Sequence, residues 1–81
     1  MNAAEAQEVK DLLLQSDSNF RDLAEQHHQL DDRLHQLTER HYLSESEQRE
    51  EVILKKRKLA LKDRMEEMAR MYAREHAQQG H

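Results

Sequence analysis

The sequence lacks proline, cysteine and tryptophan, and its single glycine, Gly80, lies near the C-terminal end. Turns and strands are usually marked by Gly, Pro, Asn and Asp between β-branched runs. Here the only aliphatic β-branched residues are Val9, Val52 and Ile53. Without cysteine no disulfide can form, and without a glycine-rich loop no phosphate cradle can form. These absences predict an all-α protein.

Long apolar runs are also absent, and no stretch approaches the ~20 residues that span a bilayer. The first residues have neither a basic start nor an apolar core, so we expect a cytoplasmic protein without a secretory signal. Charged residues make up 37% of the chain, and only three residues are aromatic. A core of this size seldom contributes more than ~3–5 kcal/mol. We therefore expect one small domain over residues 1–81, stabilised by self-association.

Two apolar stripes with helical spacing run through the chain. The first consists of Phe20, Leu23, His27, Leu30, Leu34, Leu37 and His41. The second consists of Leu54, Leu61, Met65, Met68 and Tyr72. Lys58 occupies the position that is missing between Leu54 and Leu61. Each stripe predicts a helix with one side that must be covered.

Polar clusters divide the chain into segments. The four polar residues from Ser16 to Asn19 predict a break, with Asp17 or Ser18 capping the next helix. Ser44 and Glu47 have the spacing of a capping box, which predicts a helix start there. We expect helices over about residues 3–15, 19–42 and 45–76, followed by a polar tail over 77–81.

A short turn near residues 43–45 would make the second and third helices antiparallel. Folding back there places Leu34 near Leu54, and apolar residues then meet at most levels of the two helices. We predict an antiparallel, coiled-coil-like hairpin with a short extra N-terminal helix, self-associating into a bundle with a dimer favoured. One continuous rod is the alternative, because no proline or glycine forbids a straight helix through the turn.

The stripes supply the predicted contact residues. These are Phe20, Leu23, His27, Leu30, Leu34, Leu37, Leu54, Leu61, Met65, Met68 and Tyr72. A charged residue on such a stripe can set the register between helices. Since the hairpin places Asp31 opposite Lys58, we predict an ion pair between them. Otherwise Lys58 extends its ammonium group past the interface to water.

The stretch 55–64 is rich in basic residues: Lys55, Lys56, Arg57, Lys58, Lys62 and Arg64. Such a cluster can contact phosphates. We favour a solvated, ion-paired helix face, because Glu51 can meet Lys55 four residues on and no aromatic residue is interleaved for base stacking. The net charge of −4 also argues against a general nucleic-acid binder. Binding of nucleic acid or of an acidic partner is kept as the alternative function.

The histidines raise the questions of metal binding and pH response. His28, Asp32 and His35 share one helix face, where two imidazoles and a carboxylate can meet a divalent ion. No fourth ligand is evident, so these are weak candidates and we expect neither a metal nor a cofactor. His27 and His41 lie on the apolar stripe, either as neutral hydrogen-bonded side chains or as groups that sense pH.

Several pieces of the sequence together resemble the YdcH-like family of small bacterial proteins, whose function is unknown. They are Phe20-x-x-Leu23, His27-x-x-Leu30-Asp31-x-x-Leu34-x-x-Leu37 and Leu54-Lys55-Lys56-x-Lys58-Leu59-x-Leu61-Lys62-Asp63-x-Met65. The resemblance covers about residues 9–71. It implies a short helical cytoplasmic protein with no known enzyme activity, and it brings no site residues, because none is established for the family.

Catalysis has no support in the sequence, since the serines fall at predicted helix ends and a concave pocket needs more chain. We predict a non-enzymatic interaction or scaffold module that buries its stripes, at ~25 cal/mol per Å² of apolar area. A second copy is the expected partner. An amphipathic helix of another protein, docked on Met65, Met68 and Met71, is a further possibility.

Overall fold

A computed structural model of the protein describes residues 2–79 and contains three helices in this range. They are α1 (Ala3–Ser16), α2 (Ser18–Thr38) and α3 (Glu45–Gln79). α2 and α3 pack along each other as a hairpin, and α1 packs against both. The molecule measures 56 × 23 × 16 Å. The predicted all-α hairpin with a short extra N-terminal helix is confirmed, and the alternative continuous rod is excluded.

The hairpin is closed by two apolar clusters. The turn-end cluster consists of Leu34, Leu37 and Leu54, with Leu30 and Leu43 packed against it. The α1 cluster lies towards the other end and consists of Leu13, Phe20 and Ala69, with Val9, Met65, Met68 and Tyr72 packed against it. Phe20 and Leu37 are completely buried. The turn-end cluster joins the end of α2 to the first part of α3, and the α1 cluster joins the start of α2 to the later part of α3, as an antiparallel arrangement requires.

Side chains cap the starts of both hairpin helices. The Asp17 carboxylate accepts a hydrogen bond from the Phe20 N–H at 3.0 Å. The Ser44 N–H donates to Glu47 Oε1 at 3.1 Å, and the Glu47 N–H donates to Ser44 Oγ at 3.2 Å. These reciprocal bonds form the capping box that the sequence predicted, and they satisfy N–H groups that have no partner within the helix.

α2 ends at Thr38, four residues before the predicted end at residue 42. The last turn tightens there, because the Arg40 N–H donates to Leu37 O at 3.3 Å, a bond between residues three apart. The Thr38 hydroxyl also donates to His35 O. The chain reverses direction over residues 39–44, a longer connection than the predicted turn at 43–45.

The early end of α2 removes His41 from the apolar stripe. His41 lies in the connection and is exposed, and Tyr42 beside it is 90% exposed. Leu43 takes over the contact, since it packs against the turn-end cluster. The periodicity that placed His41 on the stripe therefore continues past the end of the helix.

α3 extends to Gln79, three residues beyond the predicted end at 76. The helix thus continues into residues 77–79 of the predicted polar tail. Residues 80–81 lie outside the described residues. Within residues 2–79, no helix has the combined length and apolar character that crossing a bilayer requires.

Candidate interaction surfaces

The predicted contact residues face each other inside the chain. Four of them are buried, namely Phe20, Leu34, Leu37 and Leu54. The other seven are half-buried, namely Leu23, His27, Leu30, Leu61, Met65, Met68 and Tyr72. The stripes of α2 and α3 therefore cover one another within one molecule, which leaves little of them for a second copy.

Two buried residues were not among the predicted contacts, Leu13 of α1 and Ala69 of α3. Ala69 lies four residues after Met65 and three before Tyr72, so the helical period already placed it on the stripe. Ala69 was not among the predicted contacts because the stripes were defined by large apolar side chains. Leu13 was recognisable as apolar, but its contact depends on how α1 folds back.

The structure brings Asp31 and Lys58 together in a salt bridge between α2 and α3. The hydrogen bond from Lys58, and then its positive charge, lower the pKa of the Asp31 carboxyl. Lys58 is half-buried on the stripe, while Asp31 is exposed. Exposed ion pairs of this kind contribute little to the free energy of unfolding.

A second pair across the hairpin was not predicted. Arg33 donates from Nε and Nη2 to the two carboxylate oxygens of Glu50, at 3.2 and 2.8 Å. This bidentate contact lowers the pKa of the Glu50 carboxyl and raises the pKa of the Arg33 guanidinium. Arg40 and Glu47 form a further salt bridge beside the turn. The predicted pairing of Leu34 with Leu54 already implied this contact, because it brings Arg33 within reach of Glu50.

The basic stretch 55–64 does not form one patch. Lys55 pairs with Glu51 at 3.5 Å, and Arg64 approaches Glu67 at 3.8 Å. The six basic residues also lie on different sides of α3. Lys55, Lys58 and Lys62 line an open groove of about 500 Å³ beside α2, whereas Arg57 lines a groove on the other side. A phosphate backbone would therefore meet only part of this charge at once.

The weak metal candidates are split between two pairs. His28 Nε2 lies 3.4 Å from Asp32 Oδ2, whereas His35 Nε2 lies 3.1 Å from Glu39 Oε1. All four side chains are largely exposed. Among residues 2–79, no three metal-ligating side chains come close enough together to hold an ion.

Apolar side chains also remain on the outside of the molecule. The large ones are Leu12, Leu14, Tyr42, Val52, Ile53, Leu59 and Met71. Val52, Ile53 and Leu59, here called the outer side chains of α3, lie away from the stripe that packs on α2. Val52 and Leu59 are seven residues apart and share a helix face. All three side chains remain about half exposed after the hairpin has closed.

The fold and these surfaces place the protein in the class of small all-helical hairpin proteins. The apolar and charged side chains described above make contacts between its helices. A family model described as a protein of unknown function (DUF465) matches residues 20–71, well over half of the chain. The chain belongs to this family, and its resemblance to the YdcH-like proteins is confirmed. The matched segment holds α2, the turn and most of α3, and α1 precedes it. No curated protein and no solved structure matches the chain significantly.

Proposed function

We propose that this protein is a non-enzymatic, cytoplasmic interaction module that self-associates into a helical bundle, with a dimer as the basic unit. The observation that carries the proposal is the exposure of the outer side chains of α3. Val52, Ile53 and Leu59 are 52%, 49% and 59% exposed after the hairpin has closed. We therefore assign the contact between two copies to the outer side chains of α3 and not to the predicted stripes.

The limited core supports self-association. Among the described residues only six apolar side chains are buried, and they belong to two separate small clusters. Small domains of this kind commonly gain stability from a second copy. Covering the outer side chains of α3 removes apolar area from water at ~25 cal/mol per Å². Lys55 and Asp63 lie near Leu59 and supply charges of both signs that can orient the two copies.

The pattern of shifted pKa values supports a structural role for the charged residues. The pKa values of Asp31, Glu47 and Glu50 are lowered, and each shift has a structural cause in a cross-helix cation or a helix cap. A general acid or base works best with a pKa near the working pH. These shifts move the carboxyl groups away from that range, as expected of groups that hold helices in place.

Light scattering during size-exclusion chromatography tests the proposal. The wild-type chain of 9.7 kDa should elute with about twice that mass, and Val52→Glu/Leu59→Glu should elute with the mass of one chain. Gln26→Glu/Gln29→Glu is the matched control, because it adds the same two negative charges at exposed positions on α2. Circular dichroism checks that helix content is retained. A wild type with single-chain mass at every concentration, or a glutamate variant that stays dimeric, contradicts the proposal.

A further inference from the structure

We propose that α1 is exchanged between two copies of the chain, so that α1 of each copy leaves its own hairpin at Asp17 and packs on Phe20 and Ala69 of the other. The occupant of this surface is therefore a second copy of the same helix. The inference goes beyond the proposed function, because it uses the surface beneath α1 and not the outer side chains of α3.

The hinge is a single residue. α1 ends at Ser16 and α2 begins at Ser18, and Asp17 between them is extended, with φ −123° and ψ 111°. Backbone hydrogen bonds of the helical type end on Asp17 from both sides. The Asp17 N–H donates to Leu13 O at 2.8 Å, and Asp17 O accepts from the Arg21 N–H at 3.0 Å. The two helices therefore meet at Asp17 with no loop between them.

Two side chains replace hydrogen bonds that the bend removes. Arg21 Nη1 donates to Leu14 O at 3.3 Å and to Gln15 O at 3.0 Å. Asp17 Oδ1 accepts from the Phe20 N–H at 3.0 Å. In a straight helix these backbone groups would bond to partners four residues away. The bent and straight forms therefore satisfy a similar set of backbone groups.

The local sequence does not forbid the straight form, although the polar residues from Ser16 to Asn19 favour the bend. Residues 14–20 contain neither proline nor glycine, and the helical region is sterically allowed for an aspartate. Straightening at Asp17 would join α1 and α2 into one helix of roughly 54 Å over residues 3–38. It would also separate Leu13 from Phe20 and Ala69.

Exchange recovers the contacts that straightening loses. α1 is held by one buried side chain, Leu13, which packs with Phe20 and Ala69. Val9 packs beside it, and Lys10 Nζ lies 4.0 Å from Glu66 Oε1. The same contacts form when a second copy supplies α1, because the receiving surface is unchanged. Each copy gives one helix and takes one, so the assembly closes as a symmetric dimer.

Cross-linking between chains tests the exchange directly. The chain has no cysteine, so introduced thiols react without background. A Lys10→Cys chain is mixed with a Glu66→Cys chain, incubated at high concentration and treated with a short bismaleimide. We expect a covalent two-chain product. A mixture of Lys10→Cys with Lys56→Cys is the control and should give at least tenfold less, because Lys56 lies on α3 away from α1. Lys10→Cys/Glu66→Cys in one chain verifies that the linker spans the two sites.

Two hinge variants separate exchange from accidental collision. Ser18→Pro should keep the fold and reduce the two-chain product at least tenfold. Proline suits the first residue of α2 and an extended Asp17 before it, but it breaks a continuous helix. Asp17→Ala/Arg21→Ala removes the side chains that support the bend and should raise the product severalfold. Asp22→Ala/Arg49→Ala, with the same charge change at exposed positions, should leave it unchanged.

The experiment is repeated in the Val52→Glu/Leu59→Glu background, where the proposed dimer through α3 is lost. The Lys10→Cys and Glu66→Cys chains should still cross-link there, so failure of the proposed function and failure of the exchange give different results. The exchange is overturned if these chains give no more product than the Lys56→Cys control. It is also overturned if Ser18→Pro leaves the yield unchanged.

Discussion

The two ends of the hairpin are held together in different ways. At the turn, α2 and α3 bury the turn-end cluster by themselves, and the Arg33–Glu50 pair and the Ser44 cap reinforce it. At the other end, a third helix takes part, because Leu13 of α1 packs in the α1 cluster. Among the described residues, the ion pair that ties α1 to α3 is the long Lys10–Glu66 contact.

This difference shows where the molecule can change shape. The connection over residues 39–44 and the polar pairs beside it fix the turn end in one register. The α1 end relies on apolar packing that includes Met65 and Met68, whose unbranched side chains adapt to different neighbours. We therefore expect the turn end to unfold only with the whole hairpin, whereas α1 can detach while the hairpin remains.

The largest effects are expected from the two fully buried side chains, one in each cluster. Phe20→Ala should lower the free energy of unfolding by about 3–5 kcal/mol, and Leu37→Ala by about 2–5 kcal/mol, because each leaves a cavity in a small core. Urea denaturation followed by circular dichroism measures both. The exposed Gln36→Ala in α2 serves as a control. A loss below about 1 kcal/mol for either variant would contradict the assigned burial.

A smaller global effect is expected from Leu13→Ala, although Leu13 is also buried. α1 can detach from the hairpin. The loss of unfolding free energy caused by Leu13→Ala therefore cannot exceed the free energy that holds α1 in place. Hydrogen exchange should show protection lost in α1 and retained in α2 and α3. The neighbouring Leu12→Ala, at a half-exposed position, provides the comparison and should preserve protection in α1. Equal loss of protection in all three helices of the Leu13 variant would show that the two ends are not independent.

The smallest effect is expected from acid, and it should arise mainly at the turn end. The pKa values of Glu47, Glu50 and Asp31 are lowered in the folded chain, so their stabilisation is present near neutral pH. It is lost as pH falls through the folded values, below the ordinary carboxyl range of about 4. Thermal unfolding between pH 3 and 7 should show this loss, and Glu50→Gln should reduce it. If Glu50→Gln loses as much stability in acid as the wild type does, Glu50 does not contribute to the acid sensitivity.

Much of the fold follows from spacing alone. The stripes predicted the antiparallel hairpin, and the spacing of Ser44 and Glu47 predicted the start of α3. The end of α2 was harder, because apolar periodicity continues to His41 while the chain already reverses direction after Thr38. After the reversal, Leu43 packs against the turn-end cluster, and this is a tertiary contact that periodicity along the chain does not reveal.

Fewer of the contacts at the candidate surfaces could be predicted from the sequence. The Asp31–Lys58 contact was predicted because Lys58 is a charged residue on an apolar stripe. Arg33 and Glu50 lie beside the stripes, so their charges did not stand out in the same way. The bend at Asp17 was expected from its polar neighbours. Its support by Arg21 was not, because that contact depends on the angle between α1 and α2.

The central claim is that the two stripes cover each other within one chain. Spin labels at Asp22→Cys and Glu67→Cys, both at exposed positions, test it by pulsed electron–electron double resonance. Diluting labelled chains with an excess of unlabelled ones isolates the distance within a chain. The hairpin predicts a short separation, comparable to the 23 Å width of the molecule. A separation near 68 Å, roughly that of 45 residues along a straight helix, would contradict the account.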